Sequence, residues 1–294
     1  MSDANGIVGI IVAILTFFAS LFGGGEMSST VVTTGGGTAG ETMAVHFIDV
    51  GQGDSTIIQL PNGENMLIDA GNNGDIKIIQ PYLEKLGVEK IDYLIGTHPH
   101  ADHIGAMDDV IKNYEIGELY MPKAQANTKT YRDVLTAIAD KGLIVKTAKS
   151  GVVIFDKDGV KAEMLAPCSE TYKDLNNYSA VIKLTYNNTA FLFEGDAEDV
   201  SENEILQSGA DVRADVIKAG HHGSSSSSTQ AYIDAVKPTY AVISCGADND
   251  YGHPHRETVA TFNDKGIEML RTDIDGSIVI TSDGVNIECS KSGK

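Results

Sequence analysis

Thr97-His98-Pro99-His100-Ala101-Asp102-His103 places three imidazoles and one carboxylate within six residues, close behind the apolar segment Ile91-Asp92-Tyr93-Leu94-Ile95-Gly96. Packing does not need such a cluster, whereas a metal pair does. The apolar segment reads as a strand. The stretch Ala101 to Tyr114, with Ile104, Met107, Val110 and Ile111 on one face, reads as a helix. His98 and His100 alternate by two, which in an extended segment points both rings the same way. Asp102 and His103 enter the helix and face a neighbouring point. Two adjacent metal sites can be built this way, and imidazole with carboxylate suits zinc, manganese or iron.

Other strand ends carry similar chemistry. Phe193-Glu194-Gly195-Asp196 closes an apolar strand and makes Asp196 a candidate bridge between two cations. Lys218-Ala219-Gly220-His221-His222-Gly223-Ser224 follows a second strand, and one of its two histidines could complete a metal's ligands. The hydroxyl run Ser224 to Thr229 then precedes a helix, whose first N–H groups suit an anion. After a third strand, His253 in Asn249-Asp250-Tyr251-Gly252-His253-Pro254-His255 is a candidate proton donor, substrate contact or ligand; His255 more simply begins a helix. Asp54 in Gly51-Gln52-Gly53-Asp54 and Asp69 in Leu67-Ile68-Asp69-Ala70-Gly71 are placed to hydrogen-bond the ligating histidines from behind.

Outward from these motifs, period-two segments predict strands at Met43–Asp49, Ser55–Leu60, Glu64–Asp69, Ile144–Lys146, Val152–Phe155 and Lys161–Ala166. The second half repeats the scheme with strands at Ser179–Thr185, Thr189–Phe193, Asp215–Ala219, Tyr240–Ser244, Glu268–Arg271, Ser277–Thr281 and Val285–Glu288. Helical periodicity marks Asp75–Leu86, Lys129–Asp140, Asp199–Gln207, Thr229–Val236 and Glu257–Asp264. Hairpins interleaved with helices in two similar halves predict an α/β fold: an αββα four-layer sandwich, two mixed β-sheets flanked by helices.

Composition narrows the partners. The 294 residues carry a net charge of −19, which does not invite polyanions, and the longest basic candidate, Lys141 to Lys149, is diluted by apolar residues. Cys168, Cys245 and Cys289 are far apart and form no CxxC pair, so free thiols are expected rather than a disulfide framework or a cysteine zinc site. Gly6 to Gly23 is uncharged and apolar, long enough to cross a hydrocarbon core about 30 Å thick or to serve as a signal. We therefore expect a hydrophobic signal or membrane anchor over 1–24, a Gly/Ser/Thr-rich linker over 25–41 and the catalytic domain over 42–290. That arrangement implies membrane contact through the N-terminal segment, and a secreted or membrane-anchored protein with an extracytoplasmic catalytic domain.

Taken together, the run His98 to His103, the Gly195-Asp196 step and a later histidine resemble the metallo-β-lactamase superfamily. More narrowly, His46-Phe47-Ile48-Asp49-Val50-Gly51-Gln52-Gly53-Asp54-Ser55, Leu67 to Gly71, Glu194 to Asp196, Lys218 to Ser224 and Tyr251 to His255 resemble the lactamase-like domain of ComEC-type competence proteins. The resemblance implies the metallo-β-lactamase fold, two divalent metal ions and a phosphodiesterase-type or nuclease-type hydrolase. Two departures stand out. His100 replaces an aspartate typical of ComEC-type domains, and no histidine lies about twenty residues before Asp196; the region there reads Leu175-Asn176-Asn177-Tyr178-Ser179. Asn177 is the substitute candidate, as a weak ligand or a substrate contact. At most one hydrophobic span is present, so DNA transport by this chain alone is not expected.

The resulting expectation is concrete. One metal takes His98 and His100, the other takes Asp102, His103 and His222, and Asp196 bridges. Zinc is the first choice of ion and manganese the second. A water on such a metal has its pKa lowered from 15.7 toward about 7, supplying hydroxide at neutral pH, and Asp102 orients or deprotonates that water. Ser224, His221 and His253 hold the anionic group of a phosphodiester or another anionic ester, DNA being one candidate. The alternatives are hydrolysis of a β-lactam or thioester on the same fold, and a tethered binding module without turnover.

Overall fold

The computed structural model describes residues 30–33 and 42–293. The apolar segment 6–23 lies outside the described residues, as does the expected linker apart from β1 (Thr30–Thr33), which lies along one sheet edge. Among the described residues no helix is long and apolar enough to cross a membrane.

Two mixed sheets form the centre. The first runs β1, β16 (Asn286–Lys291), β15 (Ile278–Ser282), β2 (Met43–Phe47), β3 (Thr56–Gln59), β4 (Asn65–Ile68), β5 (Lys90–Ile95), β6 (Glu115–Met121) and β7 (Val145–Thr147). The second runs β14 (Glu268–Arg271), β13 (Tyr240–Ile243), β12 (Val216–Lys218), β11 (Thr189–Phe193), β10 (Val181–Tyr186), β9 (Val160–Ala166) and β8 (Val153–Lys157). The pairings β4 to β7 and β11 to β14 are parallel, so those strands open toward one rim.

Strand alternation builds the four layers. On β4, Met66 and Ile68 face the opposite sheet while Leu67 faces outward; on β13, Tyr240 and Val242 face inward and Ala241 and Ile243 outward. Phe47 and Phe193 meet across the sheets with ring centroids 6.1 Å apart. The outer face of the first sheet is covered by α1 (Ile76–Lys85), α2 (Ala101–Ile104), α3 (Met107–Asn113) and α4 (Lys129–Lys141). The second is covered by α5 (Asp199–Ser208), α6 (Gln230–Val236) and α7 (Arg256–Asp264), and a single turn, α8 (Thr272–Asp275), follows β14. This is the αββα sandwich expected from the pattern.

Beyond the short elements β1 and α8, which the sequence pattern did not mark, two differences have a clear physical cause. The helix expected from Ala101 to Tyr114 is broken at Gly105-Ala106, because those two N–H groups donate to Gly71 O (2.7 Å) and Ala70 O (3.2 Å) instead of to their own helix. The break zips the histidine run onto the loop carrying Asp69, and Gly105 is required there: a Cβ would lie 2.1 Å from the Asn72 carbonyl carbon. Strand β6 had no clear periodic signal, since Gly117 interrupts it; the Gly117 Cα packs against Asp92 O, where a Cβ would come to 2.5 Å. The three cysteines are free, Cys168 exposed and Cys245 and Cys289 buried.

Candidate metal centre

The strand ends of both sheets deliver their polar residues to one point. Asp69 follows β4, the histidine run follows β5, Asp196 follows β11 and the His221-His222 pair follows β12. Asp102, His103, Asp196 and His222 form one group of converging ligand atoms, and His98, His100 and Asp196 form another. The bridging geometry is in the carboxylate. Asp196 Oδ1 lies 3.1 Å from His103 Nε2 and 3.6 Å from His222 Nε2, while Oδ2 lies 3.7 Å from His98 Nε2. Asp102 Oδ2 lies 3.2 Å from His222 Nε2 and 4.0 Å from His103 Nε2, and His98 Nε2 lies 2.9 Å from His100 Nδ1.

These residues fit metal ions. Donors about 2.1 Å from a tetrahedral ion sit roughly 3.4 Å from one another, which is the spacing found here. His103 Nε2 and Asp196 Oδ1 are buried, face each other and make no hydrogen bond of acceptable geometry. Buried polar atoms are normally satisfied, and two facing atoms left without a hydrogen bond at the focus of a ligand group are what a site able to hold a cation would show.

The far nitrogen of each buried ring is held. His103 Nδ1 donates to Asp69 Oδ2 at 2.7 Å, His222 Nδ1 donates to Ser244 O at 2.9 Å, and His98 Nδ1 faces the hydroxyls of Thr97 and Ser179 at 3.2 and 3.3 Å. Asp69 is itself clamped, accepting from Thr97 N and Thr97 Oγ1 at 2.8 and 2.7 Å while holding a left-handed φ of 59°. Such outer contacts fix ring orientation and tautomer. Asp69→Asn is therefore expected to weaken metal binding by about 10- to 100-fold, read by competition with a chromogenic chelator; unchanged affinity would show that His103 is oriented by other contacts.

A third convergence, Asp54, Asp69 and His103, lies behind the first group. Its cation is already present: the buried Lys218 ammonium contacts Asp54 Oδ2 and donates to Gly195 O at 3.3 Å. Burial opposes ionisation of Asp54, but Lys218 and then His222 outweigh it and hold the carboxyl down at about 2. In the sequence Lys218 stands inside the Lys218 to Ser224 motif without a role of its own. Its signal was a lysine closing the otherwise apolar, buried strand Val216-Ile217-Lys218.

Protonation of the metal-free cluster follows from the carboxylates. Burial would lower His103, but Asp196, Asp69 and Asp102 hold it well above its ordinary value. Burial likewise opposes a proton on His222, but Asp196 and Asp54 raise it to about 9. His98, buried beside His103, is held well below its ordinary value. At pH 7 the metal-free centre thus carries protons on His103 and His222 that an ion must displace. Metal loading is expected to release protons at pH 7, and apparent affinity to rise as pH rises toward about 9. Calorimetry in buffers of different ionisation enthalpy measures this; a buffer-independent heat would refute it.

The paired histidines are separated by backbone conformation. His221 and His222 both take left-handed φ values, 47° and 53°. This turn buries His222 (1% side-chain exposure) while leaving His221 at the mouth (24%), 3.8 Å from Asp196 Oδ2 and 3.2 Å from Glu198 Oε1. His253 stacks over His222 with centroids 6.1 Å apart. Gln52 Oε1 accepts from Gly246 N, which turns its amide nitrogen toward His253 Nδ1 at 3.4 Å and leaves the ring proton on Nε2.

Three expected anion contacts are placed differently. Asn177 Oδ1 accepts from Glu198 N and Ser201 N (3.4 and 3.2 Å), and Asn177 Nδ2 donates to Glu198 Oε2 at 3.1 Å, so this amide caps α5 rather than facing a metal or substrate. Ser224 is buried and its hydroxyl is engaged with Ser226 Oγ and Ser226 N at 2.9 and 3.2 Å. The helix start beyond the serine run is already filled, because the Glu202 carboxylate accepts from Ser228 N and Thr229 N at 2.5 and 2.9 Å. Neither Glu198 nor Glu202 had a local signal; each acts across more than twenty residues of chain. Of the three roles the sequence left open for His253, its burial and then the neighbouring His222 speak against that of a cationic proton donor, since they hold the ring down at about 4, neutral at physiological pH.

Sandwich and centre together define a class, and the chain belongs to the metallo-beta-lactamase superfamily, whose family model matches residues 48–247. Within it the chain is 31% identical over 252 residues to ComE operon protein 3 of Bacillus subtilis, covering 80% of this chain and 32% of that one. It is 30% identical over 237 residues to competence protein ComA of Neisseria gonorrhoeae, again 80% and 32%. These relatives are ComEC-type competence proteins, and the chain spans about a third of their length. Among solved structures, a metallo hydrolase from the archaeon Ignicoccus hospitalis superposes with TM-score 0.52 at 14% identity, over 81% of this chain and 98% of that one. CmlA, a diiron beta-hydroxylase from Streptomyces venezuelae, superposes with TM-score 0.50 at 14% identity, over 80% and 53%. These two likenesses are of fold.

Proposed function

We propose that this metallo-hydrolase domain is a phosphodiesterase of nuclease type. The observation that carries the reading is one buried carboxylate, that of Asp196, turning one oxygen to each of two histidine groups. His98 and His100 would hold one divalent ion, and Asp102, His103 and His222 the second, with Asp196 between them. Zinc suits this donor set, with manganese the alternative. When bound, such a pair activates water and offsets charge developing on the attacking and leaving oxygens of a phosphoryl group.

The remaining work falls to side chains. Asp102 is ionised, because His103 and His222 outweigh the opposing effect of burial, and at 30% exposure it is the ligand carboxylate that reaches solvent. It accepts a hydrogen bond from the incoming water and aligns it. His253, neutral with its proton on Nε2, donates a hydrogen bond to a substrate oxygen rather than delivering a proton as an imidazolium. His221 stands at the mouth as a further contact. The likeness to ComEC-type competence proteins makes DNA the first polymer to assay.

The metal-replete protein is expected to hydrolyse bis-p-nitrophenyl phosphate, to lose that activity in a chelator and to leave nitrocefin intact. Cleavage of nitrocefin but not of the phosphodiester would move the reading to acyl chemistry. Protein purified without metal, and unable to take it up, would favour a binding module.

A further inference from the structure

His221 and His222 are adjacent in sequence, yet they face different oxygens of one carboxylate. His222 Nε2 lies 3.6 Å from Asp196 Oδ1, the oxygen that also faces His103. His221 Nε2 lies 3.8 Å from Asp196 Oδ2, the oxygen that faces His98 at 3.7 Å. The backbone makes this split. Left-handed φ values of 47° and 53° at two consecutive residues with side chains are strained, and such strain persists only where the surroundings hold it. The two ring centroids end 6.2 Å apart with their planes at 65°.

Without His221 the two ligand groups are unequal. Asp102, His103, Asp196 and His222 form a group of four, whereas His98, His100 and Asp196 form a group of three. His221 stands beside the smaller group, outside its converged atoms, with 24% of its side chain exposed. Its distance from the shared oxygen matches that of His98, which is a member. Both distances are close to the roughly 3.4 Å that separates donors around a tetrahedral ion.

The far nitrogen of His221 is held, as are those of the buried rings. Nδ1 donates to Glu198 Oε1 at 3.2 Å, which leaves the Nε2 lone pair toward Asp196. Glu198 is fixed in turn. Its Oε1 accepts from Ser226 Oγ at 2.8 Å and from Asn176 Nδ2 at 3.4 Å, and its Oε2 accepts from Asn177 Nδ2 at 3.1 Å. A carboxylate behind an imidazole is the contact that orients a metal-ligating ring. Asn176 and Asn177 thereby support a ring delivered from another strand end. His255 differs: its Nδ1 accepts from Ser225 N at 2.9 Å and its Nε2 donates to Tyr251 O at 3.1 Å, so both nitrogens are spent.

We propose that His221 is a metal ligand, the third imidazole of the ion held by His98 and His100, and that Glu198 is its positioning residue. This goes beyond a contact at the mouth. It rests on the two-ion reading of the centre and is independent of the substrate, and its test is ion binding rather than turnover.

Chelator-treated protein is titrated with Zn²⁺ in competition with a chromogenic chelator. The wild-type protein is expected to bind two ions. In His221→Gly, where glycine accepts the left-handed backbone, one ion should bind as in wild type and the other more weakly. Glu198→Ala should weaken that same ion by about 10- to 100-fold, and His221→Gly by more. Imidazole added to His221→Gly should restore the weakened ion; a loss that imidazole does not reverse would assign the defect to the turn and overturn the role. His255→Ala should keep both ions, and an equal loss there would overturn the assignment to His221. Two ions bound by His221→Gly with wild-type affinity would overturn this inference and leave the two-ion centre standing. Wild-type protein that binds fewer than two ions would overturn both.

Discussion

Asp196→Ala is expected to strip the centre of metal and to lower phosphodiester turnover by about 10³-fold or more, the equivalent of roughly 4 kcal/mol of transition-state stabilisation. Asp196 is the one side chain common to both ligand groups. Its removal opens both at once, whereas loss of His100 touches only one. The residue is 2% exposed, so no surface carboxylate replaces it from solvent. Its charge also raises the pKa of His103 and His222, and without it those rings lose the main attraction that keeps them protonated in the metal-free state. Elemental analysis and bis-p-nitrophenyl phosphate kinetics on the same preparation read the outcome. Asp196→Asn keeps the shape without the charge and should fall between alanine and wild type in metal content. A variant with full metal and full turnover would refute the bridging role.

Lys218→Met is expected to have the largest effect on stability. Lys218 and Asp54 are 3% and 4% exposed and pair directly. Removing one partner of a buried ion pair strands the other charge, at a cost of about 3–5 kcal/mol. For a domain of this size that is roughly a 10 °C fall in melting temperature. Asp54 would keep only His222 and His103 nearby, at 3.4 and 3.8 Å. Adding Asp54→Asn to Lys218→Met should recover most of the loss, because the stranded charge is then gone. Thermal unfolding of the three variants in chelator decides the matter: an unchanged melting temperature in Lys218→Met would show that Asp54 is satisfied without the ammonium.

Much of the centre was legible because its parts are local. Strands end in short loops, so His98 to His103, Asp196 and His221-His222 each appear as a compact motif, and their donor chemistry is independent of the fold around them. Strand and helix periods likewise carried the layer order. The errors came where a side chain's partner is remote. Ser224 and Asn177 looked available, yet Ser224 closes its own turn and Asn177 caps α5. The helix start after the serines looked open, yet Glu202 from α5 fills it. The helix after the histidines looked continuous, yet two of its N–H groups are taken by the Asp69 loop.

The sequence by itself therefore determined which donors this protein owns and that they gather at strand ends. Tertiary structure alone decided which donors are free to bind. A left-handed turn at His221 and His222 buries one ring and leaves the other at the mouth. Lys218 occupies the acidic group behind His103, and Glu198 and Glu202 take up amides and N–H groups that a substrate would otherwise meet. The physical reason is common to all of these: a buried polar group must be paired, and the chain assigns the partner in three dimensions rather than along its length.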